Sequence, residues 1–250
     1  MENRKCFYEH WGEQELKKEG FRKIVLRWKA DEIANLIRLS KIKMAGKKVL
    51  EIGCADGILL GRMQELFLQS NFIGLDISKT LINHARKKYP RIKFYCQDFV
   101  NFFELHGKVN YVILSDITEH VPDDNMFIKQ VANNCDYIFL KMPIELCFWN
   151  SSLLMGLLRK MMGKPSAKPQ YGMKHISGHL RGYTLSSARK YLKENGLKII
   201  VDSVKNTNQF YGNLLKINLA SKISESLSVR MFGGAYFAIA ETPSFGRDKK

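Results

Sequence analysis

The stretch that decides the fold is Val49-Leu50-Glu51-Ile52-Gly53-Cys54-Ala55-Asp56-Gly57. A short apolar run ends in a turn punctuated by two glycines, and a helical pattern begins near Ile58. Strand, glycine turn and helix in that order form the crevice that receives a nucleotide-like ligand at the carboxyl end of a central strand. Glycine is expected at 53 and 57 because a side chain there blocks close approach of the ligand to the backbone. Alone, a Gly-x-x-x-Gly turn is weak evidence. Two acidic residues at later strand ends strengthen it, Asp76 in Gly74-Leu75-Asp76-Ile77-Ser78 and Asp98 in Cys96-Gln97-Asp98-Phe99. Asp76 follows the turn by about 20 residues, the spacing at which a carboxylate meets both hydroxyls of a ribose.

Outward from the turn, apolar runs and helix-sized polar spacers alternate between Lys47 and Pro143. Lys48–Ile52, Asn71–Leu75, Ile92–Cys96, Asn110–Leu114 and Asp136–Lys141 read as strands of a parallel sheet. Continuous runs such as Tyr111-Val112-Ile113-Leu114 are expected where helices cover both faces. After Pro143 the alternation breaks, and residues 145–183 read as an insertion or cover segment. Thr184 or Ser186 then caps a helix whose Leu185, Ala188, Tyr191 and Leu192 share a face, with Gly196 as its stop. Leu197–Val201 reads as a strand, and Ala235–Ala240 as a last strand returning antiparallel at the sheet edge. The predicted fold is α/β: a doubly wound, seven-stranded, mostly parallel Rossmann-like sheet with an antiparallel last strand. Residues 1–44 read as an N-terminal helical lid, with Tyr8 and Trp11 able to close over a substrate, and 45–250 as one domain.

Of the 250 residues 45% are hydrophobic, and 40 Lys+Arg against 24 Asp+Glu give a formal charge of +16, so the chain can build a core and is not a disordered tail. The charge is uneven: +6 over 1–48, −2 over 49–148 and +12 over 149–250. The basic C-terminal part is expected to meet an anionic partner. No apolar run reaches the roughly 18 residues of a membrane span. The charged N-terminus lacks the apolar core of a secretory signal, so a cytoplasmic location is expected. Five cysteines without a Cys-x-x-Cys pair disfavour a disulfide framework and a zinc site, and no metal is expected.

Val49–Gly57, Gly74–Ser78, Gln97–Phe99 and Val112-Ile113-Leu114-Ser115-Asp116-Ile117-Thr118-Glu119-His120-Val121-Pro122-Asp123 together resemble the class I S-adenosylmethionine (SAM)-dependent methyltransferases. The fourth segment is most like the small-molecule branch that includes ubiquinone-biosynthesis O-methyltransferases, and MetW-like proteins share the layout. The resemblance is specific over roughly 45–145 and looser beyond. It implies that 45–250 is a methyltransferase domain with SAM as cofactor. It further implies that Gly53 and Gly57 shape the cofactor loop, that Glu51 lies near the methionine end, that Asp76 binds the ribose and that Asp98 with Phe99 lines the adenine. Cys54, Ala55, Ile77 and Ser115 complete the implied cofactor set; Ala55 stands where a second glycine is common.

Methyl transfer from a sulfonium is an in-line displacement, so aligning donor and acceptor is the main task, and a hydroxyl acceptor also calls for a base. His120 is a candidate base because imidazole accepts a proton near neutral pH, and His175 and His179, near Tyr183, form a second group. The Asn/Asp-Pro-Pro-aromatic run of amino-group methyltransferases is absent at Ser115-Asp116-Ile117-Thr118, which disfavours base amino groups; with no recognisable RNA-binding module, a nucleic-acid partner is disfavoured too. The expected acceptor is a small, anionic or lipid-linked metabolite, methylated on oxygen. The aromatic and Met/Leu content of 146–164, edged by Arg159, Lys160 and Lys164, also suits peripheral contact with anionic lipid. RNA methylation and a non-catalytic SAM-binding partner subunit stay open as alternatives.

Overall fold

The computed structural model describes residues 12, 14, 16–17, 19–147, 178–207, 210, 222 and 224–244. Helix α1 (Glu19–Ser40) leads into β1 (Lys48–Ile52), α2 (Ile58–Leu66), β2 (Asn71–Asp76), α3 (Lys79–Lys88), β3 (Lys93–Cys96) and α4 (Phe99–His106). Then come β4 (Tyr111–Ser115), a 3-10 turn (Thr118–His120), α5 (Asp124–Ala132), β5 (Tyr137–Ile144), α6 (Leu185–Glu194), β6 (Lys198–Lys205), α7 (Glu225–Phe232) and β7 (Gly234–Glu241). The seven strands form one sheet in the order β3-β2-β1-β4-β5-β7-β6, with β1 to β5 in parallel register. The doubly wound sheet follows from strict alternation. Val49, Tyr111, Ile113, Phe139 and Phe237 pack on one face with α1, α2 and α3, whereas Leu50, Val112, Leu114, Ile138, Leu140 and Tyr236 pack on the other with α4, α5 and α6.

One expectation is corrected. The last strand does not lie at the sheet edge: β7 is antiparallel to both neighbours and fits between β5 and β6, leaving β6 outside. Burial decides the order. Ala235 to Ala240 are all buried, whereas Lys198, Ile200 and most of β6 reach solvent, so the apolar strand goes inside and the polar one takes the edge. Strand β5 also runs three residues further than expected, through Pro143. Beyond Lys141 it has no β4 partner, and a proline is tolerated where only one neighbour remains.

Helix α6 is capped by Thr184, whose side chain accepts from the Ser187 amide while Ser187 Oγ accepts from the Thr184 amide. Helix α1 buries Ala30, Ile33, Ala34 and Ile37, an i, i+3, i+4, i+7 stripe, against the sheet. Over 19–40, therefore, the N-terminal segment is part of the core; Tyr8 and Trp11 lie outside the described residues. Charge adds to this packing. Arg27 meets Glu65 through two bonds of 2.8 and 2.9 Å, Arg62 links Glu65 to Asp31, and Arg22 pairs with Asp56 at 3.0 Å, both side chains buried. The hydrogen bonds from Arg27 and then Arg62 hold the Glu65 carboxyl down at about 2.

A carboxyl lowered on folding stabilises the protein above its ordinary titration range and loses that contribution as pH falls through its folded value. Glu65→Gln is expected to cost less than about 1 kcal/mol at pH 7, because the pair is half-exposed and screened. In urea denaturation the difference from wild type should shrink as pH falls from 5 toward 2.

Candidate functional site

The glycine turn is built on left-handed backbone. Gly53, Ala55 and Gly57 have φ of 76°, 48° and 74°. The amides of Gly53 and Cys54 both donate to the Leu75 carbonyl at 2.7 and 3.0 Å, so β2 holds the turn from beside β1. Asp76 completes the tie: one carboxylate oxygen accepts from the Ala55 amide and the other from the Ser78 amide, each at 2.9 Å. The glycines are needed for a reason beyond ligand approach. A Cβ on Gly57 lies 2.7 Å from the Phe94 ring, and one on Gly53 lies 2.6 Å from Ile117 Cδ1, so the protein's own side chains fill that space. Ala55 accepts a left-handed cost of about 1–2 kcal/mol.

Around this turn, polar atoms stand shielded from solvent at the carboxyl ends of three strands. Glu51 is 3% exposed and its Oε2 has no hydrogen-bond partner among the described residues; the same holds for Gln97 Nε2, just past β3, and Ser115 Oγ, at the end of β4. Burial drives the Glu51 carboxyl well above its usual range, against the opposing charge of Lys29. Other residues of the implied set have structural partners. Asp98 caps α4, accepting from the Val100 and Asn101 amides at 3.0 Å, and Phe99 packs edge-on to Phe127 at 4.9 Å. Half-buried Ile77 accepts from the Cys96 thiol through its carbonyl. The Cys54 thiol is buried, which pushes its pKa well up, so it packs rather than reacts.

Past β4 the charges concentrate. Asp116, itself left-handed at φ 54°, is bonded by Lys29 of α1 at 2.5 Å and by Lys141 of β5. Burial opposes its ionisation, but Lys141 and Lys29 overcome this and hold the carboxyl far below its usual range. Next to it Glu119 is fully buried, with Oε1 lacking a partner among the described residues; burial and then the Asp116 charge push it up to about 7.

The structure brings two of the three predicted histidines together. His120 and His179 meet edge to face with ring centroids 4.8 Å apart, and His179 Nδ1 is 2.9 Å from the Glu145 carboxylate. Burial and the charge of His179 push His120 down to about 4, whereas the Glu145 carboxylate, outweighing burial, raises His179. Arg181 makes this meeting possible by donating to the carbonyls of Thr118, Val121 and Pro122, which clamps residues 178–183 onto the loop after β4. Ligand atoms of Glu119, His120 and His179 all lie within 4.8 Å of one another, a grouping able to hold a divalent cation. His175, Arg159, Lys160 and Lys164 lie outside the described residues, as does nearly all of 146–164. No helix among the described residues is long and apolar enough to cross a membrane.

The sequence matches the methyltransferase-domain family over residues 22–201. The chain belongs to this family. Among curated methyltransferases and relatives, the ubiquinone biosynthesis O-methyltransferase of Coxiella burnetii is 31% identical over 110 residues, covering 40% of this chain and 45% of that protein. The match thus spans less than half the length of that relative. An uncharacterized protein of Rickettsia prowazekii is 24% identical over 193 residues, 74% of this chain and 70% of its own length.

Solved methyltransferases share the fold at lower identity. A SAM-dependent methyltransferase from Archaeoglobus fulgidus gives a TM-score of 0.54 at 16% identity over 91% of this chain and 98% of that one. The magnesium protoporphyrin IX methyltransferase of Synechocystis, solved with bound SAM, gives 0.53 at 16% over 86% and 79%. The putative methyltransferase bound to the Trm112 activator of Haloferax volcanii gives 0.60 at 14% over 94% and 97%.

Sequence reasoning did not single out Lys29, Lys141, Glu145 or Arg181, because each meets its partner across a long stretch of chain. Glu119 and Gln97 were quoted within motifs without a role; polar residues at strand ends flanked by apolar runs were the available signal. For the turn itself, Gly57→Ala combines a left-handed alanine with a collision at Phe94. A loss of about 2–4 kcal/mol is expected in urea denaturation. A loss under about 1 kcal/mol would show that Phe94 and Tyr89 move aside.

Proposed function

We propose that this chain transfers a methyl group from SAM to an oxygen of a small, anionic or lipid-linked metabolite. The observation that carries the donor reading is the set of shielded polar atoms without partners among the described residues at the ends of β1, β3 and β4, beside the glycine turn that the Asp76 carboxylate holds. Buried polar atoms are rarely left unpaired, so such a set at a strand-end crevice fits a polar ligand. Asp76 would hold the ribose hydroxyls, Gln97 would face the adenine end and Glu51 the methionine end. When bound, SAM supplies an electrophilic methyl group on a sulfonium. The chain's own part is to align the acceptor at the mouth of β4 and exclude water. What supports oxygen as the methylated atom is the His120–His179 pair at that mouth, together with the similarity to an O-methyltransferase. The charge of +12 over 149–250 supports an anionic acceptor.

Calorimetry is expected to show binding of SAM and of S-adenosylhomocysteine but not of NAD; the reverse result removes the donor reading. Asp76→Ala should weaken SAM binding by about 10–100-fold, since charge-assisted hydrogen bonds are worth roughly 1.5–3 kcal/mol and each tenfold is about 1.4 kcal/mol. Unchanged affinity takes Asp76 out of the site. Incubation of metabolite extracts with labelled SAM should give mass-shifted O-methyl products. Salt-sensitive labelling of RNA instead favours the RNA reading, and binding without turnover favours a partner subunit.

For a lipid-linked acceptor, the protein should float with anionic vesicles at low salt, where screening is weakest, and not with neutral ones. Failure to float under those conditions removes the membrane contact.

A further inference from the structure

Strands β1 to β5 run parallel, so all of them begin at one end of the sheet, opposite the crevice. The fold sorts charge between these two ends. Asp56, Asp76, Asp98, Asp116, Glu119 and Glu145 stand at or just past the carboxyl ends of the five strands. Lys41, Lys43, Lys47 and Lys48 lead into β1, and Arg91 and Lys93 into β3, at the amino ends. None of these six cations meets a carboxylate among the described residues, and all but Lys47 are exposed. Arg22, Arg27, Arg62 and Arg189, elsewhere on the chain, each pair with one. Asp136 and Glu104 share the basic end and offset part of its charge.

Apolar side chains also face water there. Leu39 is the next-to-last residue of α1, Leu105 holds the same place in α4, and Leu68 lies two residues beyond α2. These helices lead into β1, β4 and β2, which puts all three leucines at the amino ends of the strands. They are 70%, 73% and 78% exposed, the highest values for large apolar side chains among the described residues. A single exposed leucine is ordinary. Three among unpaired cations at one end are a pattern. Helices α1 and α2 cover one face of the sheet and α4 the other, so the leucines are spread across the end and not gathered in a groove.

A polyanion such as RNA would engage the cations and gain little from leucines, and a peptide helix would need the apolar residues side by side. An anionic bilayer matches both features, because its negative surface potential draws Lys and Arg and its acyl boundary takes in apolar side chains. We propose that this end of the sheet docks on an anionic lipid bilayer, with Leu39, Leu68 and Leu105 entering the headgroup region and the six cations facing the lipid phosphates. Docked in this way, the crevice opens away from the lipid. The contact rests on neither the donor reading nor the one suggested for 146–164.

The test mixes the full chain at low salt with vesicles of phosphatidylcholine and phosphatidylglycerol in equal parts, or of phosphatidylcholine alone, and measures bound protein against lipid concentration. Wild type should bind the mixed vesicles and not the neutral ones. Lys43→Glu with Lys93→Glu should weaken that binding by about 10–100-fold. Leu39→Ser with Leu68→Ser should weaken it by at least about fivefold. Met126→Ser removes a side chain that is 55% exposed in the first turn of α5, at the crevice end, and should bind as wild type does. Binding by the wild type alone would not separate this end from 146–164; the paired variants do. Loss in the lysine variant with wild-type affinity in the leucine variant marks a polyanion site and overturns the lipid assignment. Wild-type affinity in both variants, or no binding of wild type to the mixed vesicles, overturns the docking surface itself. Thermal unfolding reports whether each variant is folded, and Lys43→Gln with Lys93→Gln takes the place of the charge reversal if that variant is not.

Discussion

Asp116 carries its charge between lysines from two separate parts of the chain, Lys29 of α1 and Lys141 of β5, and the functional end of the sheet depends on that sharing. The residue sits in a left-handed conformation directly after β4, where its carboxylate meets Lys141 of β5 and Lys29 of α1. Either ammonium alone would satisfy it. With both present, the helix ahead of the sheet and the fifth strand are pinned to one point. Removing a partner from a well-shielded ion pair commonly costs several kcal/mol because the other charge is left stranded. A group held by two partners is protected against the loss of one.

From this point the site divides into two chemically different halves. Toward β1 and β2, backbone amides and the Asp76 carboxylate dominate, and the shape is fixed by glycines packed against Phe94 and Ile117. Toward β5 and the 178–183 segment, imidazoles and carboxyls dominate: Glu119, His120, His179 and Glu145, held in place by Arg181. The first half is rigid because backbone bonds define it. The second is assembled from segments far apart in the chain, joined by the Arg181 side chain and by backbone bonds from Leu180 to Glu119 and from Glu145 to Tyr183, which lets its chemistry vary while the first half stays constant.

Much of the first half was legible in the sequence, because strands buried on both faces write continuous apolar runs and a left-handed turn writes glycines. Asp76 could be placed by spacing alone. Ala55 shows the limit: its identity hides a left-handed backbone that the Asp76 bond to its amide helps to hold. The second half was mostly illegible. Lys29 and Asp116 lie 87 positions apart, and Glu145 and His179 34 apart, so no periodicity links them. The position of β7 was missed for a related reason. Hydrophobicity shows that a strand is buried, but only pairing with β5 on one side and β6 on the other shows that it lies inside the sheet.

The interior position of β7 also bears on how the chain is made. On the ribosome β6 emerges before β7, yet β7 is its only sheet neighbour among the described residues. Until Gly234–Glu241 has left the exit tunnel, β6 has no strand to pair with and the free side of β5 stays open, two unpaired edges of the kind that invite aggregation. The parallel strands β1 to β5 can assemble earlier, and the insertion of β7 then closes both edges at once. Truncation ahead of Gly234 therefore takes two strands from the sheet, not one.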